Sequence, residues 1–307
     1  MATEAFSISR SDLKGPTSST ILITGGSSGI GLQTALLLHS ISDANNIIVL
    51  DRQPPSSAPK SLISSQRFLF LQCDLASWPS QRAAFAAGAA KFGGIDHVFV
   101  NAGIAEYEDQ FFKDELDKDA LLKEPDRRVI DIDVNAANDT VKLAIHYIRV
   151  QRDQKKGGSI VLTASLAGYL ASAGAPLYSA AKHALVGLMR ALKNDLATLN
   201  IAISVVAPGI TITPILSGQR PGESLENWAK RFRALGVPIN DPDEIATAVV
   251  YLMGEGIKAN GKGLLIQAGR VADLEAGIAK TRNQWMGGEM LQLFRGGRNA
   301  PLFSNKL

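Results

Sequence analysis

Residues 19–41 read "STILITGGSSGIGLQTALLLHSI", and the order of events within them decides the fold. Ile21, Leu22 and Ile23 make an apolar run of strand length, and a helical pattern follows from about 29 to 41. Between them lies "TGGSSGIG", residues 24–31, in which Gly25, Gly29 and Gly31 stand in GxxxGxG spacing. A glycine-rich turn that leaves a strand and opens a helix suits an anion. Glycine lets the backbone turn tightly, and phosphate oxygens can reach the free amides of the helix N-terminus. Ser27 and Ser28 add hydroxyl donors, and Ile30 lies in the first helical turn. The strand–turn–helix context favours nucleotide binding over a plain turn.

The alternation continues outward from this unit. "NIIVLDR", "RFLFLQCDL", "IDHVFVNAG", "GSIVLTASLAG", "IAISVVAPG" and "GKGLLIQAG" read as further strands. "SQRAAFAAGAAKFG", "RRVIDIDVNAANDTVKLAIHYIRVQRD", the segment from Tyr178 to about 199 and "PDEIATAVVYLMG" read as helices. Nearly all-apolar strands separated by helices indicate a parallel sheet covered on both faces. Right-handed crossovers then give an α/β, doubly wound Rossmann domain. The expectation is one such domain over 20–270 with a mostly parallel seven-stranded sheet, a polar arm over 1–19 and an extension over 271–307. "PPSSAP", residues 54–59, reads as a surface loop. Residues 211–240 follow the carboxyl end of a strand and read as a substrate lid or as a surface insertion. In the extension, Trp285, Met286, Met290, Leu291 and Phe294 are spaced to bury one helical face.

Composition narrows the classes. Of 307 residues, 46% are hydrophobic and 20% charged, an ordinary balance for a packed domain. Lys and Arg number 32 against 29 Asp and Glu, with no basic stripe that would call for nucleic acid. No apolar window reaches the ~18 residues of a membrane span, and no metal-ligand cluster stands out. Cys73 is the sole cysteine and reads as a small buried hydrophobe in a reducing compartment.

The chemistry is carried by "LYSAAKHALVGL", residues 177–188. Tyr178 and Lys182 are an i, i+4 pair on an apparent helix, so they project the same way. A free phenol with a pKa of ~10 is a poor base at neutral pH, and a nearby ammonium favours its ionised form. By itself such a pair also fits a solvated helix face. Asp51 closes the second strand twenty positions after Gly31, where an acid would accept the adenosine ribose hydroxyls and repel a 2′-phosphate. That favours NAD over NADP. Arg52 beside it reads as a solvated charge or as a contact for that phosphate.

Across nearly its whole length the chain resembles the short-chain dehydrogenase/reductase family. The matches are Thr24–Gly31, Asp74 after the third strand, "NAG" at 101–103, Asn135, Ser165, "YSAAK" at 178–182 and "PGITIT" at 208–213. The resemblance implies a nicotinamide-dependent oxidoreductase of alcohols or ketones, a homodimer or homotetramer. It implies Tyr178 as general acid/base, Lys182 as modulator of the phenol and holder of the nicotinamide ribose, and Ser165 as donor to the substrate oxygen. Asn135 matches the residue that holds a water leading from Lys182 to solvent. Its alternative reading is a polar contact inside a helix. Asp74 and Leu75 are expected around the adenine, and Asn101, Ala102 and Gly103 along the adenine and ribose. Pro208, Gly209, Ile210 and Thr213 are expected at the nicotinamide amide. His183 reads as structural, and Glu106, Glu108 and Asp109 as a solvated loop.

The expected activity is NAD-dependent oxidation of a secondary alcohol on a medium-sized apolar substrate such as a secondary metabolite, steroid or lipid. An NADP-dependent ketone reductase and a silent nucleotide-binding scaffold are the alternatives. The insert "EYEDQFFKDELDKDALLKEPDR", residues 106–127, and the extension leave the substrate open. The expected compartment is the cytoplasm. Asn305-Lys306-Leu307 is one residue from the peroxisomal address Ser-Lys-Leu, which makes the peroxisome the alternative.

Overall fold

A computed structural model describes residues 4–150, 157–216 and 220–297. Its centre is one eight-stranded sheet in the order β3-β2-β1-β4-β5-β6-β7-β8. The strands are β1 (Thr20–Thr24), β2 (Asn46–Asp51), β3 (Phe68–Gln72) and β4 (His97–Val100). They continue with β5 (Gly158–Thr163), β6 (Ile201–Pro208), β7 (Gly263–Gln267) and β8 (Arg270–Asp273). All pairings are parallel except β7 with β8.

The apolar strands are sealed on both faces. On one side the core joins Phe85, Val141, Tyr147, Leu185 and Met189 from helices Trp78–Phe92, Ala137–Val150 and Pro176–Thr198. On the other it joins Ala35 and Leu38 of helix Gly29–Ile41 to Val249 and Met253 of helix Pro242–Gly254. Burial of this kind stabilises by roughly 25 cal/mol per Å² of apolar surface. Cys73 is 1% exposed, and burial pushes its thiol up. No helix among the described residues is long and apolar enough to cross a membrane.

The sheet corrects the expected seven strands. The eighth, Arg270–Asp273, crosses the expected boundary at 270/271. Four residues that turn back after Gln267 in antiparallel register carry too short a pattern to be told from a loop. The N-terminal arm is also docked. Phe6 and Val271 exchange backbone bonds of 2.8 Å in both directions, and Arg10 meets Asp243 at 2.9 Å. The C-terminal tripeptide 305–307 lies outside the described residues.

The extension is anchored to the body of the domain through Glu275. Tyr169 Oη donates to Glu275 Oε1 at 3.0 Å, and Arg190 Nε and Nη2 donate to the same carboxylate at 2.7–3.1 Å. Burial, then the Glu275 charge, push the Tyr169 phenol well up. Glu275→Ala is expected to lower stability by about 1–3 kcal/mol, discounted because Arg190 is partly exposed. The urea unfolding midpoint measures it, and an unchanged midpoint would rule out an anchoring role.

Candidate active site

The strand order reverses between β1 and β4, and open sheets of this kind bind ligands at the carboxyl ends beside that switch. Most of the residues singled out in the sequence lie at these strand ends, with Asn135 the exception. The turn after β1 lies against the turn after β4. Gly25 has φ +64°, and a Cβ on it would stand 2.9 Å from the Ala102 Cα, so only glycine fits both demands. Asn101 Nδ2 donates to the Thr24 and Gly25 carbonyls at 3.1 Å each, and Asn101 Oδ1 accepts from Thr163 Oγ1 at 3.2 Å. One amide therefore ties the ends of β1, β4 and β5 together. A Cβ on Gly29 would sit 3.1 Å from Thr213, which brings the segment after β6 to the same turn.

Helix Gly29–Ile41 begins at this turn with Ser28 as its N-cap, and its first amides have no partner within the helix. Ser27 Oγ is buried without a partner. An orphaned hydroxyl at a helix N-terminus fits a ligand phosphate. Asp51 Oδ2 accepts the Ser27 backbone N–H at 3.1 Å, while Arg52 is exposed. Asp74 and Leu75 follow β3 beside it. Asp74 is exposed and its Oδ1 accepts from the Ala76 N–H, and Leu75 is 8% exposed. Gly209 donates to Ile266 at 3.0 Å, Ile210 accepts from Asn240 at 2.8 Å, and Ile210 is 44% exposed.

Across the cleft, Ser165 opens the turn Leu166–Gly168, where its Oγ accepts the Ala167 N–H at 3.1 Å and lies 3.5 Å from the Pro208 carbonyl. That turn packs on the helix of Tyr178. A Cβ on Gly168 would meet the Lys182 carbonyl at 2.7 Å. Lys182 is buried; its Nζ donates to the Thr163 carbonyl at 3.1 Å and stands 5.3 Å from the Tyr178 ring centroid. Burial by itself would pull the Lys182 ammonium down. The Asp133 carboxylate, helped by Tyr178, more than offsets it and holds the ammonium above its ordinary range.

Asn135 is not at this site. It is exposed, and its amide donates to Asp131 at 3.2 Å. The residue of its helix that meets Lys182 is Asp133, whose Oδ2 stands 2.9 Å from Nζ. The reason is a wide turn, because Asp131–Ala136 is a π stretch within the helix over 128–150. Residues in such a turn face other directions than a 3.6-residue period assigns. Glu106 is a second correction. It does not belong to a solvated loop, since its Oε2 accepts the Tyr178 backbone N–H at 2.9 Å and its Oε1 is buried. Glu108 and Asp109 are exposed, and His183 Nδ1 pairs with the Ser179 carbonyl at 2.9 Å. Asn240, which the sequence did not single out, is fully buried and bonds to Ile266 and Ala268, closing the base of 211–240.

A glycine cradle at the switch of a doubly wound sheet, beside a tyrosine stacked over a buried lysine, defines a nucleotide-dependent redox protein. The short chain dehydrogenase family matches residues 19–224, and the chain belongs to that family. It is 32% identical to the short-chain dehydrogenase/reductase prx4 of Penicillium rubens over 92% of this chain and 84% of that one. It is 30% identical to (+)-borneol dehydrogenase 1 of Salvia officinalis over 81% of this chain and 92% of that one. The ligand-free aldohexose dehydrogenase of Thermoplasma acidophilum shares the fold with a TM-score of 0.67 at 24% identity, covering 84% and 95% of the two chains. The protein is thus an oxidoreductase of this family, which takes a nicotinamide dinucleotide. The orphaned Ser27 hydroxyl, the open helix terminus and the close turns at Gly25 and Gly29 fit that group.

Proposed function

We propose that the protein oxidises a secondary hydroxyl of a medium-sized, largely apolar molecule to the ketone with NAD. The buried Lys182 ammonium beneath the Tyr178 ring, next to the glycine cradle, is the observation that carries this reading. When bound, the nicotinamide supplies the acceptor for the hydride that leaves the carbinol carbon. Tyr178 takes the hydroxyl proton as the carbon–oxygen double bond forms, and passes it to solvent. Ser165 donates a hydrogen bond to the substrate oxygen and orients it. Lys182 keeps a positive charge beside the phenol and reaches the ribose. Gly25, Ser27, Ser28, Gly29 and Ile30 hold the pyrophosphate. Asp74, Leu75, Asn101, Ala102 and Gly103 border the adenosine side. Pro208, Gly209, Ile210 and Thr213 border the nicotinamide.

Residues 211–240 serve in this reading as a lid over the substrate. Trp228, Ala229 and Ile239 form a small core of their own there, and Tyr107 Oη donates to the Ile215 carbonyl at 3.1 Å. The exposed apolar side chains of Ile210 and of Tyr107, Phe111, Phe112 and Leu116, set among charged residues of the 106–127 insert, support an apolar substrate. The test is the absorbance of reduced nicotinamide with NAD or NADP and a panel of secondary alcohols. No reduction of either cofactor across that panel, and no oxidation of the reduced forms by the matching ketones, would refute the reading.

NAD preference rests on Asp51. Its carboxylate accepts ribose hydroxyls and repels a 2′-phosphate. A hydrogen bond to a charged group is worth ~1.5–3 kcal/mol, so kcat/KM for NAD should exceed that for NADP by at least about tenfold. Asp51→Ala is expected to shrink the ratio, with Arg52 then free to meet the phosphate. A ratio that does not change would show that Asp51 is not the selector.

A further inference from the structure

We propose that Asp133 is a positioning residue whose charge sets the pH at which the Tyr178–Lys182 pair gives up its proton. This rests on Tyr178 acting as the base. Asp133 Oδ2 stands 2.9 Å from Lys182 Nζ, with side chains 0% and 4% exposed. Asp133 Oδ1 accepts the Ile104 N–H at 2.8 Å, so the same carboxylate grips the turn after β4. The contact is tight on the side of Gly103. A Cβ on Gly103 would lie 3.0 Å from Oδ2 and 3.2 Å from Nζ.

Among the described residues, Lys182 lies over the Tyr178 ring, and two carboxylates touch this pair: Asp133, on the helix over 128–150, and Glu106, on the loop after β4. Glu106 reaches the helix backbone at the Tyr178 N–H, whereas Asp133 reaches the ammonium directly. Count the charge of Asp133, Lys182 and Tyr178. With the carboxylate ionised, the ammonium protonated and the phenol neutral, the cluster carries no net charge. Loss of one proton leaves it at −1 in a buried place, which is disfavoured. With Asn at position 133 the same loss takes the cluster from +1 to zero. The proton therefore leaves at lower pH. The direction is the same whichever of the two groups releases the proton.

An amide at 133 keeps an oxygen for the Ile104 N–H and sets its NH2 toward Lys182, so Asp133→Asn removes both the charge and the acceptor that face the ammonium. In the wild type the rise of kcat/KM for alcohol oxidation with pH is expected at higher pH than in Asp133→Asn. The limb should move down by about one to three units, the range for an uncompensated charge at this distance. A limb that stays or moves up overturns the proposal, as does one that moves with Asn135→Ala and not with Asp133→Asn. Ultraviolet difference titration of tyrosinate, with Tyr178→Phe as baseline, needs no substrate and should show the same downward shift wherever the phenol is the group that ionises. A stability cycle covers the case of a poorly folding variant. Lys182→Met leaves the buried carboxylate alone, and adding Asp133→Asn should raise its urea midpoint. A second substitution that lowers the midpoint as much as it does in the wild type would show that the two side chains do not interact. If the wild type oxidises no alcohol, the proposed function falls, while the tyrosinate titration and the cycle still decide the role of Asp133.

Discussion

Tyr178→Phe is expected to lower kcat roughly 100- to 10,000-fold, the contribution of a positioned acid/base group. The substitution removes one oxygen and keeps the ring. The ring's place 5.3 Å from the Lys182 ammonium is therefore retained, and NAD affinity should change by less than about twofold. The contrast between lost turnover and kept binding is the informative result, because an interaction made only with the reacting oxygen affects kcat and kcat/KM equally. Stopped-flow or steady-state turnover with one alcohol, together with cofactor titration by fluorescence, measures both. Substantial turnover in the variant would remove Tyr178 from the proton path. A large loss of NAD affinity would point instead to a collapsed site.

Lys182→Ala is expected to fail more broadly. The side chain stands between Asp133, Thr163 and the Tyr178 ring, and it is almost wholly buried. Its removal takes away the positive charge beside the phenol and, under the proposed function, the contact with the ribose, so turnover and cofactor affinity should fall together. It also leaves Asp133 as an uncompensated buried carboxylate, which costs about 3–5 kcal/mol. Chemical unfolding should show a loss of that size at neutral pH, distinct from the near-wild-type stability expected of Tyr178→Phe. The sign with pH follows from the direction of the shift. An ammonium held above its ordinary value contributes fully below the unfolded pKa of about 10.4 and is lost only as pH rises past the folded value. The Lys182 contribution to the stability gap between wild type and Lys182→Ala should therefore persist to about pH 10 and close in strong alkali, whereas toward lower pH the gap shrinks as the lone Asp133 carboxylate of the variant takes up a proton. Unchanged cofactor affinity in the variant would argue against the ribose contact.

Much of this was legible in the chain before any tertiary contact was known, because the governing signals are local. "TILIT" is apolar at every second and every intervening position except its ends, and "GIGLQTALLLHSI" is helical in its spacing. The observed bounds Thr20–Thr24 and Gly29–Ile41 follow from those periods. The glycine turn between them, Asp51 at the end of β2 and the i, i+4 pair Tyr178–Lys182 depend on residue type and short spacing. Each is preserved when the chain folds because strand and helix geometry preserve it.

The remainder required contacts that no local pattern encodes. The π stretch Asp131–Ala136 decides that Asp133 meets Lys182 while Asn135 faces outward, and a one-residue change of register inside a helix leaves no mark on the hydrophobic period. Glu106 and Tyr178 are far apart in the chain, yet the carboxylate accepts the Tyr178 N–H because the loop after β4 folds over that helix N-terminus. β8 exists only because β7 offers it an open edge and Phe6 covers its other side in part. The sequence by itself determined the layered sheet, the nucleotide turn and the tyrosine–lysine pair, whose causes lie within a few residues of one another. Only the packed structure settles which carboxylate neutralises the buried ammonium, since that depends on which side chains the packed helices bring face to face in the interior.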